Sequence, residues 1–266
     1  MGGAVGVVVA RRLGVPVSAS WALATAALAA VGHLDDQHDL PASTRLGAQL
    51  ATGALLGAWE GGTAGGALGA VGVPAVVNAV NFMDGINGIT GCTAVAWGLS
   101  AAGLGGVEAT QGCLTAGMAA GFLPFNMPRA RMFLGDVGSY LFGASMAVTA
   151  LQAFLRAEDG ERVRRLLPAA APLTLYLADT GTTLVRRARR GEPLFEAHRE
   201  HAYQRLVSDA GLAHWKVSTA VGLATGAAGL AARDPRVATV ALPLLAGSYL
   251  ASPSVLAGNG LPVNAA

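Results

Sequence analysis

Three aspartates and two histidines crowd into one short segment that follows an apolar stretch. Asp35, Asp36 and Asp39 lie within five residues of one another, and His33 and His38 lie in the same segment. Carboxylates this close repel one another, so at a membrane boundary they are tolerated only where water solvates them or a cation neutralises them. A divalent metal ion or a magnesium-bound phosphate would supply that cation. The alternative is an ordinary hydrophilic helix terminus, and this segment alone leaves both interpretations open.

A second polar group interrupts the end of an otherwise apolar run. Asn78, Asn81 and Asp84 are spaced by three residues, so successive members are neighbours on one helix face. Amides and carboxylates inside a span are costly and usually face a cavity or the bundle interior. Gly85 and Gly88 follow, and they free the backbone to turn or to approach a ligand closely. Hydrogen bonds between helices are the alternative role for these polar side chains.

A third segment joins a proline, two arginines and a further aspartate. Pro128 ends an apolar run, Arg129 and Arg131 follow it, and Asp136 stands at the beginning of the next apolar run. The helix dipole favours a carboxylate at a helix start, so Asp136 could be only a cap. The repeated pattern argues against this alternative, because Asp136 is a further aspartate predicted to lie on the same side of the membrane as the other segments.

The fourth segment combines an aspartate inside an apolar run with several basic side chains. Asp179 lies within an apolar run, four arginines follow within 186–190, and then come His198, Arg199 and His201. Arginine offers forked donors and histidine can donate or accept near neutral pH, so the group could bind a diphosphate. For the arginine cluster, attraction of anionic lipid beside the membrane is an equally good interpretation.

The apolar runs between these four segments indicate a membrane protein. Of the 266 residues, 53% are hydrophobic and 13% are charged, and the mean hydropathy is +0.48. With a net charge of only +2, this composition excludes both an ordinary soluble domain and a disordered chain. It predicts an all-α, polytopic membrane helix bundle, because a spanning helix needs about 20 mostly apolar residues. The candidate spans are 19–34, 46–59, 64–83, 91–107, 112–128, 137–155, 167–185, 211–232 and 237–256.

Alternate crossings would bring the four chemical segments to one side of the membrane, within a single domain over residues 1–266. A further apolar stretch at 2–10 is too short to span before two arginines interrupt it. The dense arginine cluster at 186–190 favours a cytoplasmic position for the chemical side. The connections expected on the opposite side are interpreted as solvated turns: 59–63, 104–111, 156–166 and 233–236.

In their order along the chain, the four segments resemble the motifs of the polyprenyl-phosphate N-acetylhexosamine-1-phosphate transferases. This is the bacterial glycosyltransferase family 4 type, which includes the phospho-N-acetylmuramoyl-pentapeptide transferase of cell-wall synthesis. The segment 35–39 is similar to the family's DDxxD loop, and 78–88 is similar to its NAxNxxDGxxG segment. The segment 125–139 resembles the FN…P…F-x-GD-x-GS motif, and 198–205 resembles the HRxHxYQR form of the histidine loop.

The resemblance implies a fold and a reaction. Members carry about ten transmembrane helices, so nine to ten are expected here, with the family's first helix lacking. A polyprenyl phosphate, such as undecaprenyl phosphate, would attack the β-phosphorus of a UDP-sugar. The products would be a polyprenyl-diphosphate sugar and UMP, and the step would initiate a cell-envelope polysaccharide. Magnesium, or manganese in its place, would bridge the diphosphate.

The resemblance also assigns roles to matching positions. Asp136 and Asn81 would bind the metal, while Asp35 and Asp36 would orient or deprotonate the lipid phosphate. The residues implied to be catalytic are Asp35, Asp36, Asp84, Asp136 and His198. The residues implied to bind substrate are Asn78, Asn81, Arg131, Arg199 and His201.

The expected partners are the UDP-sugar, the polyprenyl phosphate and membrane lipid, and a homodimer is left open. Nucleic acid is discounted despite a pI of 8.8, because the basic residues form short clusters between apolar runs. The expected location is the plasma membrane, with the active site on its cytoplasmic face. The alternative function is an inactive, truncated paralogue that serves as a membrane scaffold or binds a lipid phosphate. A secondary transporter ranks third, because no inverted repeat is evident.

Overall fold

The computed structural model describes residues 8, 12, 14–193 and 199–258, and almost all of the stretch 2–10 lies outside them. Within these ranges the chain is all-α, as predicted, with one short 3-10 turn at Ala171–Leu173. The helices are α1 Ala19–His38, α2 Ala42–Met83, α3 Ile89–Ala102, α4 Gly106–Asn126, α5 Gly135–Leu155, α6 Arg162–Ala170, α7 Thr174–Arg189, α8 Ala202–Ser208, α9 His214–Ala231 and α10 Pro235–Gly258.

Three of the described helices are long and apolar enough to cross a membrane. They are α2, α5 and α10, and α3 is a shorter apolar helix. The apolar segment of α5 is mostly buried inside the protein, whereas that of α10 is largely exposed. Therefore α5 forms the centre of the bundle and α10 lies at its periphery.

Helix α2 contains two antiparallel halves, which match the runs predicted at 46–59 and 64–83. The helical backbone breaks at Gly61 and Gly62, where Gly62 adopts φ 62° and ψ −154°. Only glycine reaches this region without strain. The halves then fold back on one another so closely that Gly57 faces the backbone of Gly65.

The run predicted at 167–185 is not one helix. Helix α6 ends at Ala170, the 3-10 turn follows, and α7 begins at Thr174. Pro172 lies in this turn, and proline has no N–H to continue the helical hydrogen-bond ladder. The prediction of a single span is therefore wrong in its continuity.

Helix α5 joins the two hydrophobic cores of the bundle. In the first core, Trp21 and Leu28 of α1 pack with Val77 of α2 and Tyr140 of α5. In the second core, α3 packs between α4 and α9, and the buried indole of Trp97 donates a hydrogen bond to a backbone carbonyl of α6 at 2.7 Å. Helix α5 contributes buried side chains to both cores, so it packs against both parts of the bundle.

The end of the bundle opposite the chemical segments contains a buried ionic network. The side chains of Glu60 and Glu108 are only 8% and 6% exposed. Arg156 lies 2.8 Å from Glu60 and 3.4 Å from Glu108, and Arg165 lies 3.2 Å from Glu108. The prediction of solvated turns is therefore wrong for the carboxylates of 59–63 and 104–111, which are buried and need these cationic partners, whereas the other residues of 59–63 are exposed.

The hairpin in α2 generates the first prediction. Gly57→Ala would place a methyl group 2.6 Å from the carbonyl carbon of Gly65, so the halves of α2 must separate. Such overpacking costs about 1–3 kcal/mol, and we expect a lower unfolding temperature in detergent micelles. Gly72→Ala, in the same helix with open space around it, is the matched control and should not lower it. Equal behaviour of the two variants would contradict the close packing.

Candidate functional site

A polar cavity of about 370 Å³ opens where α2, α4 and α5 have their ends. Two carboxylates, three amides and one hydroxyl contribute to its lining, together with the backbone around Gly85 and Gly135. The second and third sequence segments therefore meet at one place. The polar side chains in the lining are those of Asn81, Asp84, Asn87, Asn126, Asp136 and Ser139.

Asp136 is held at the cavity by residues from two other helices. The Asn81 amide donates to Oδ1 of Asp136 at 2.5 Å and to the hydroxyl of Ser139 at 3.0 Å. The backbone N–H groups of Asp136 and Val137 donate to the Asp36 carboxylate at 2.8 and 3.0 Å. Asp36 thus caps α5 from 100 residues away. Because another residue supplies the cap, the carboxylate of Asp136 is left to face the cavity.

Two glycines make this approach between α1 and α5 possible. A Cβ atom at Gly32 would lie 2.5 Å from the backbone carbonyl carbon of Asp136. Gly135 has φ 66°, and a Cβ atom there would lie 2.7 Å from Oδ2 of Asp36. Any larger side chain at either position would push the Asp36 cap away from α5.

Asp35 has a different environment from its neighbour Asp36. Its carboxylate is buried, forms an ion pair with Arg45 at 3.0 Å and accepts the backbone N–H of Leu40 at 2.9 Å. The Tyr140 hydroxyl of α5 donates to it at 3.3 Å. Asp35 does not line the cavity, and its contacts tie α1 to α2 and α5. Its predicted action on a lipid phosphate stays a prediction.

Asp84 supplies the second carboxylate of the cavity. Burial raises its pKa to about 6, and the negative charge of Asp136 adds to this shift. Two carboxylates facing one small space therefore disfavour each other's ionised form. A divalent cation between them would reverse this effect, because its charge favours both carboxylates as anions.

Asn126 was not among the predicted site residues, although it lies within the third segment. Its Oδ1 accepts the N–H of Gly88 at 2.5 Å, and its amide donates to the carbonyl of Met132 at 2.8 Å. It therefore fixes the loop after Asp84 against the segment before α5. The feature of the sequence that points to it is an asparagine at the end of an apolar run, close to the helix break at Pro128.

Of the five residues predicted to bind substrate, Asn81 lines the cavity, and the other four lie outside its lining: Asn78, Arg131, Arg199 and His201. Asn78 donates to Oε1 of Gln49 at 2.5 Å and to the carbonyl of Pro74 at 2.7 Å, so it links the two halves of α2, while its predicted contact with substrate stays a prediction. Arg131 is exposed, lies over the ring of Phe125 and donates to a nearby backbone carbonyl at 3.1 Å.

The histidine segment is only partly described, and His198 lies outside the described residues. Arg199 is exposed. His201 is buried, with Nδ1 3.2 Å from Oδ1 of Asp179, and it begins α8 as the N-cap residue. The structure therefore gives His201 contacts inside the protein, while its predicted contact with a diphosphate stays a prediction.

The arginine cluster at 186–190 is partly paired within the protein. The Arg187 guanidinium is buried and lies 3.1 Å from Glu200 and 3.3 Å from Glu192. Arg190 pairs with both of these carboxylates as well. Arg189 is exposed. The cluster thus forms ion pairs with Glu192 and Glu200, in addition to any contact with lipid headgroups.

The cavity fits a hard divalent cation. Within the described residues, no three His, Cys, Asp or Glu side chains lie close enough to form a metal site by themselves. Magnesium does not need such a cage, because it usually binds one or two carboxylates, water and the phosphates of a substrate. Asp84, Asp136 and the neighbouring amide oxygens are donors of the type it prefers.

Comparison with known proteins places part of the chain beside one family and several relatives. A model of glycosyl transferase family 4 matches residues 18–154, which include the first three chemical segments. Decaprenyl-phosphate N-acetylglucosaminephosphotransferases of Mycobacterium tuberculosis, Mycobacterium leprae and Mycolicibacterium smegmatis are each 32% identical to the chain over 100 residues. Each alignment covers 35% of this chain, and the chain spans only 25% of the length of each relative.

The Asp36 cap generates the second prediction. Asp36→Ala removes the acceptor for two backbone N–H groups of α5, and loss of a cap costs about 1 kcal/mol. We expect a lower unfolding temperature in detergent without any ligand. Gln37→Ala is the matched control, because Gln37 is the next residue, is exposed and shares a hydrogen bond with the exposed His33. An unchanged unfolding temperature for Asp36→Ala would mean that its carboxylate does not hold α5.

Proposed function

The chain belongs to glycosyl transferase family 4, and we propose that it transfers a sugar 1-phosphate from a UDP-sugar to a polyprenyl phosphate and releases UMP. The family consists of polyprenyl-phosphate sugar-1-phosphate transferases. For this chain, the proposed sugar is an N-acetylhexosamine and the proposed role is initiation of a cell-envelope polysaccharide. The observation that carries the proposal is the cavity that presents Asp84, Asp136 and three asparagines together.

The proposed setting is a plasma membrane that the bundle crosses about nine times, with the cavity at the cytoplasmic surface. The apolar character of α2, α5 and α10 supports insertion into a membrane. A cavity at the helix ends suits the reaction, because a water-soluble nucleotide sugar and a lipid phosphate can meet only at the membrane surface.

The proposed reaction is a displacement at phosphorus. An oxygen of the polyprenyl phosphate forms a bond with the β-phosphorus of the UDP-sugar. The bond from that phosphorus to the oxygen bridging the α-phosphorus breaks, and UMP leaves with the bridging oxygen. A phosphate monoester has a second pKa of about 6, so the nucleophile is already mostly ionised at neutral pH. The main task of the protein is therefore to position the reactants, and deprotonation is secondary.

Asp136 and Asn81, with Asp84 beside them, are the residues proposed to hold magnesium. The ion would supply charge neutralisation for the diphosphate in the bound state. Asn81 orients the Asp136 carboxylate through the 2.5 Å hydrogen bond, and Asp36 fixes the backbone that carries it. Arg199, exposed at the edge of the fourth segment, is proposed to contact the diphosphate, together with His198.

The third prediction tests the function with the purified full chain. UMP release should appear with undecaprenyl phosphate and at least one member of a panel of UDP-sugars, in the presence of magnesium or manganese. Excess chelator should abolish it. Asp136→Asn keeps the shape of the side chain and removes a charge facing the cavity, so we expect a loss of about a hundredfold or more.

Asp159→Asn is the matched control, because this carboxylate is 91% exposed in a turn and its ion-pair partner, Arg162, is an exposed neighbour. It should retain full activity. Full wild-type activity in chelator would refute the metal assignment. Binding of undecaprenyl phosphate without UMP release from any UDP-sugar would favour the alternative function, a membrane scaffold or lipid-phosphate binder.

The fourth prediction separates phosphate binding from membrane anchoring. Arg199→Ala should raise the KM for the UDP-sugar about tenfold, as expected for loss of a hydrogen bond to a charged group. Arg189→Ala, an exposed arginine of the neighbouring cluster, should change it by less than about twofold. If Arg189→Ala raises the KM more and Arg199→Ala leaves it unchanged, the arginines of this region are an electrostatic anchor. The diphosphate is then held elsewhere.

A further inference from the structure

Asp179 is a fully buried carboxylate that the proposed chemistry does not use. It lies on α7 and accepts hydrogen bonds from two other helices. The backbone N–H of Ala202, at the start of α8, lies 2.9 Å from Oδ2 and 3.1 Å from Oδ1. The Tyr249 hydroxyl of α10 donates to Oδ2 at 2.7 Å, and Nδ1 of His201 lies 3.2 Å from Oδ1.

These contacts hold the beginning of α8. A buried carboxylate without partners would be strongly destabilising, whereas one surrounded by donors fixes each of them in place. Helix α8 has only seven residues, so its own backbone hydrogen bonds cannot fix its orientation. Asp179 therefore determines where the chain turns from the exposed Arg199 into α8.

The same short helix contacts the loop that carries Asp84. The Tyr203 hydroxyl donates to the carbonyl of Phe82 at 3.1 Å. It also fills the space beside Gly85, where any Cβ atom would collide with it. The position of α8 is thus transmitted to Phe82 and Gly85, which lie on either side of Asp84 along the chain.

We propose that Asp179 and Tyr203 are positioning residues that set the distance between Arg199, just before α8, and the carboxylates of the cavity. The proposal rests on the proposed function, in which a diphosphate must contact both groups at once. Asp179 fixes one end of α8 through Ala202, and Tyr203 fixes the other contact through Phe82. Small displacements of reacting groups are costly, so the pair should act mainly on the rate of the chemical step.

The test uses Asp179→Asn and Tyr203→Phe in the full chain, with Tyr249→Phe as the matched control. The control removes one donor to Asp179 and leaves the bond to Ala202 intact. We expect kcat to fall by about tenfold or more in each test variant, with a KM for the UDP-sugar changed by less than about threefold. The control should stay within about twofold of wild type.

The double variant distinguishes a shared mechanism from two separate defects. If both residues act through α8, the loss of kcat in the double variant should be clearly smaller than the product of the two single losses. Multiplicative losses would overturn the proposal. So would a normal kcat per folded molecule combined with a lower unfolding temperature, because this result would make the residues purely structural.

Hydrogen exchange of the backbone provides a readout that does not depend on activity. Asp179→Asn should speed exchange in both 202–208 and 82–88, and Tyr249→Phe should change neither segment. Faster exchange at 202–208 alone would overturn the link to the Asp84 loop. If the wild type releases no UMP, the proposed function fails, and the exchange result still decides whether α8 and this loop are linked.

Discussion

The capping of α5 by Asp36 is the contact on which the site depends. It joins residues 100 positions apart and requires that α1 and α5 approach until their backbones touch at Gly32. A single carboxylate satisfies two N–H groups that would otherwise have no partner at the start of a buried helix. Because the cap comes from another helix, Asp136 can occupy the first turn of α5 and still direct its own carboxylate into the cavity.

The aspartates of the chemical segments differ in how completely the protein satisfies them. Asp35 and Asp179 are buried and surrounded by donors from several helices, so they hold the bundle together. Asp84 and Asp136 face a shared cavity, and Asp136 receives one hydrogen bond from the side chain of Asn81. In a low-dielectric bundle, carboxylates with unfilled acceptor positions are the ones that can take a cation or a phosphate-bound metal.

The sequence predicted the all-α fold and the meeting of its polar segments, because hydrophobic runs of known length determine which connections lie on the same side. It did not predict the individual roles. Asn78 and Asn81 share one helix face, yet one bonds Gln49 and the other bonds Asp136. Which partner a polar side chain finds depends on distant helices and on the glycines that let them approach. For the same reason the buried Glu60 could not be distinguished from a solvated turn residue.

Contacts at the two ends of α5 keep the site in place, although loops form part of its lining. At its amino end, Asp36 holds the backbone that presents Asp136. At its carboxyl end, Arg156 pairs with Glu60 and Glu108, which belong to α2 and α4. Helices α2 and α4 also end at the cavity. The distant ionic network and the site are therefore built on the same three helices, α2, α4 and α5. A rigid helix that is held at both ends cannot shift easily. The distances between the functional side chains are then determined by the helix bundle and not by the loops.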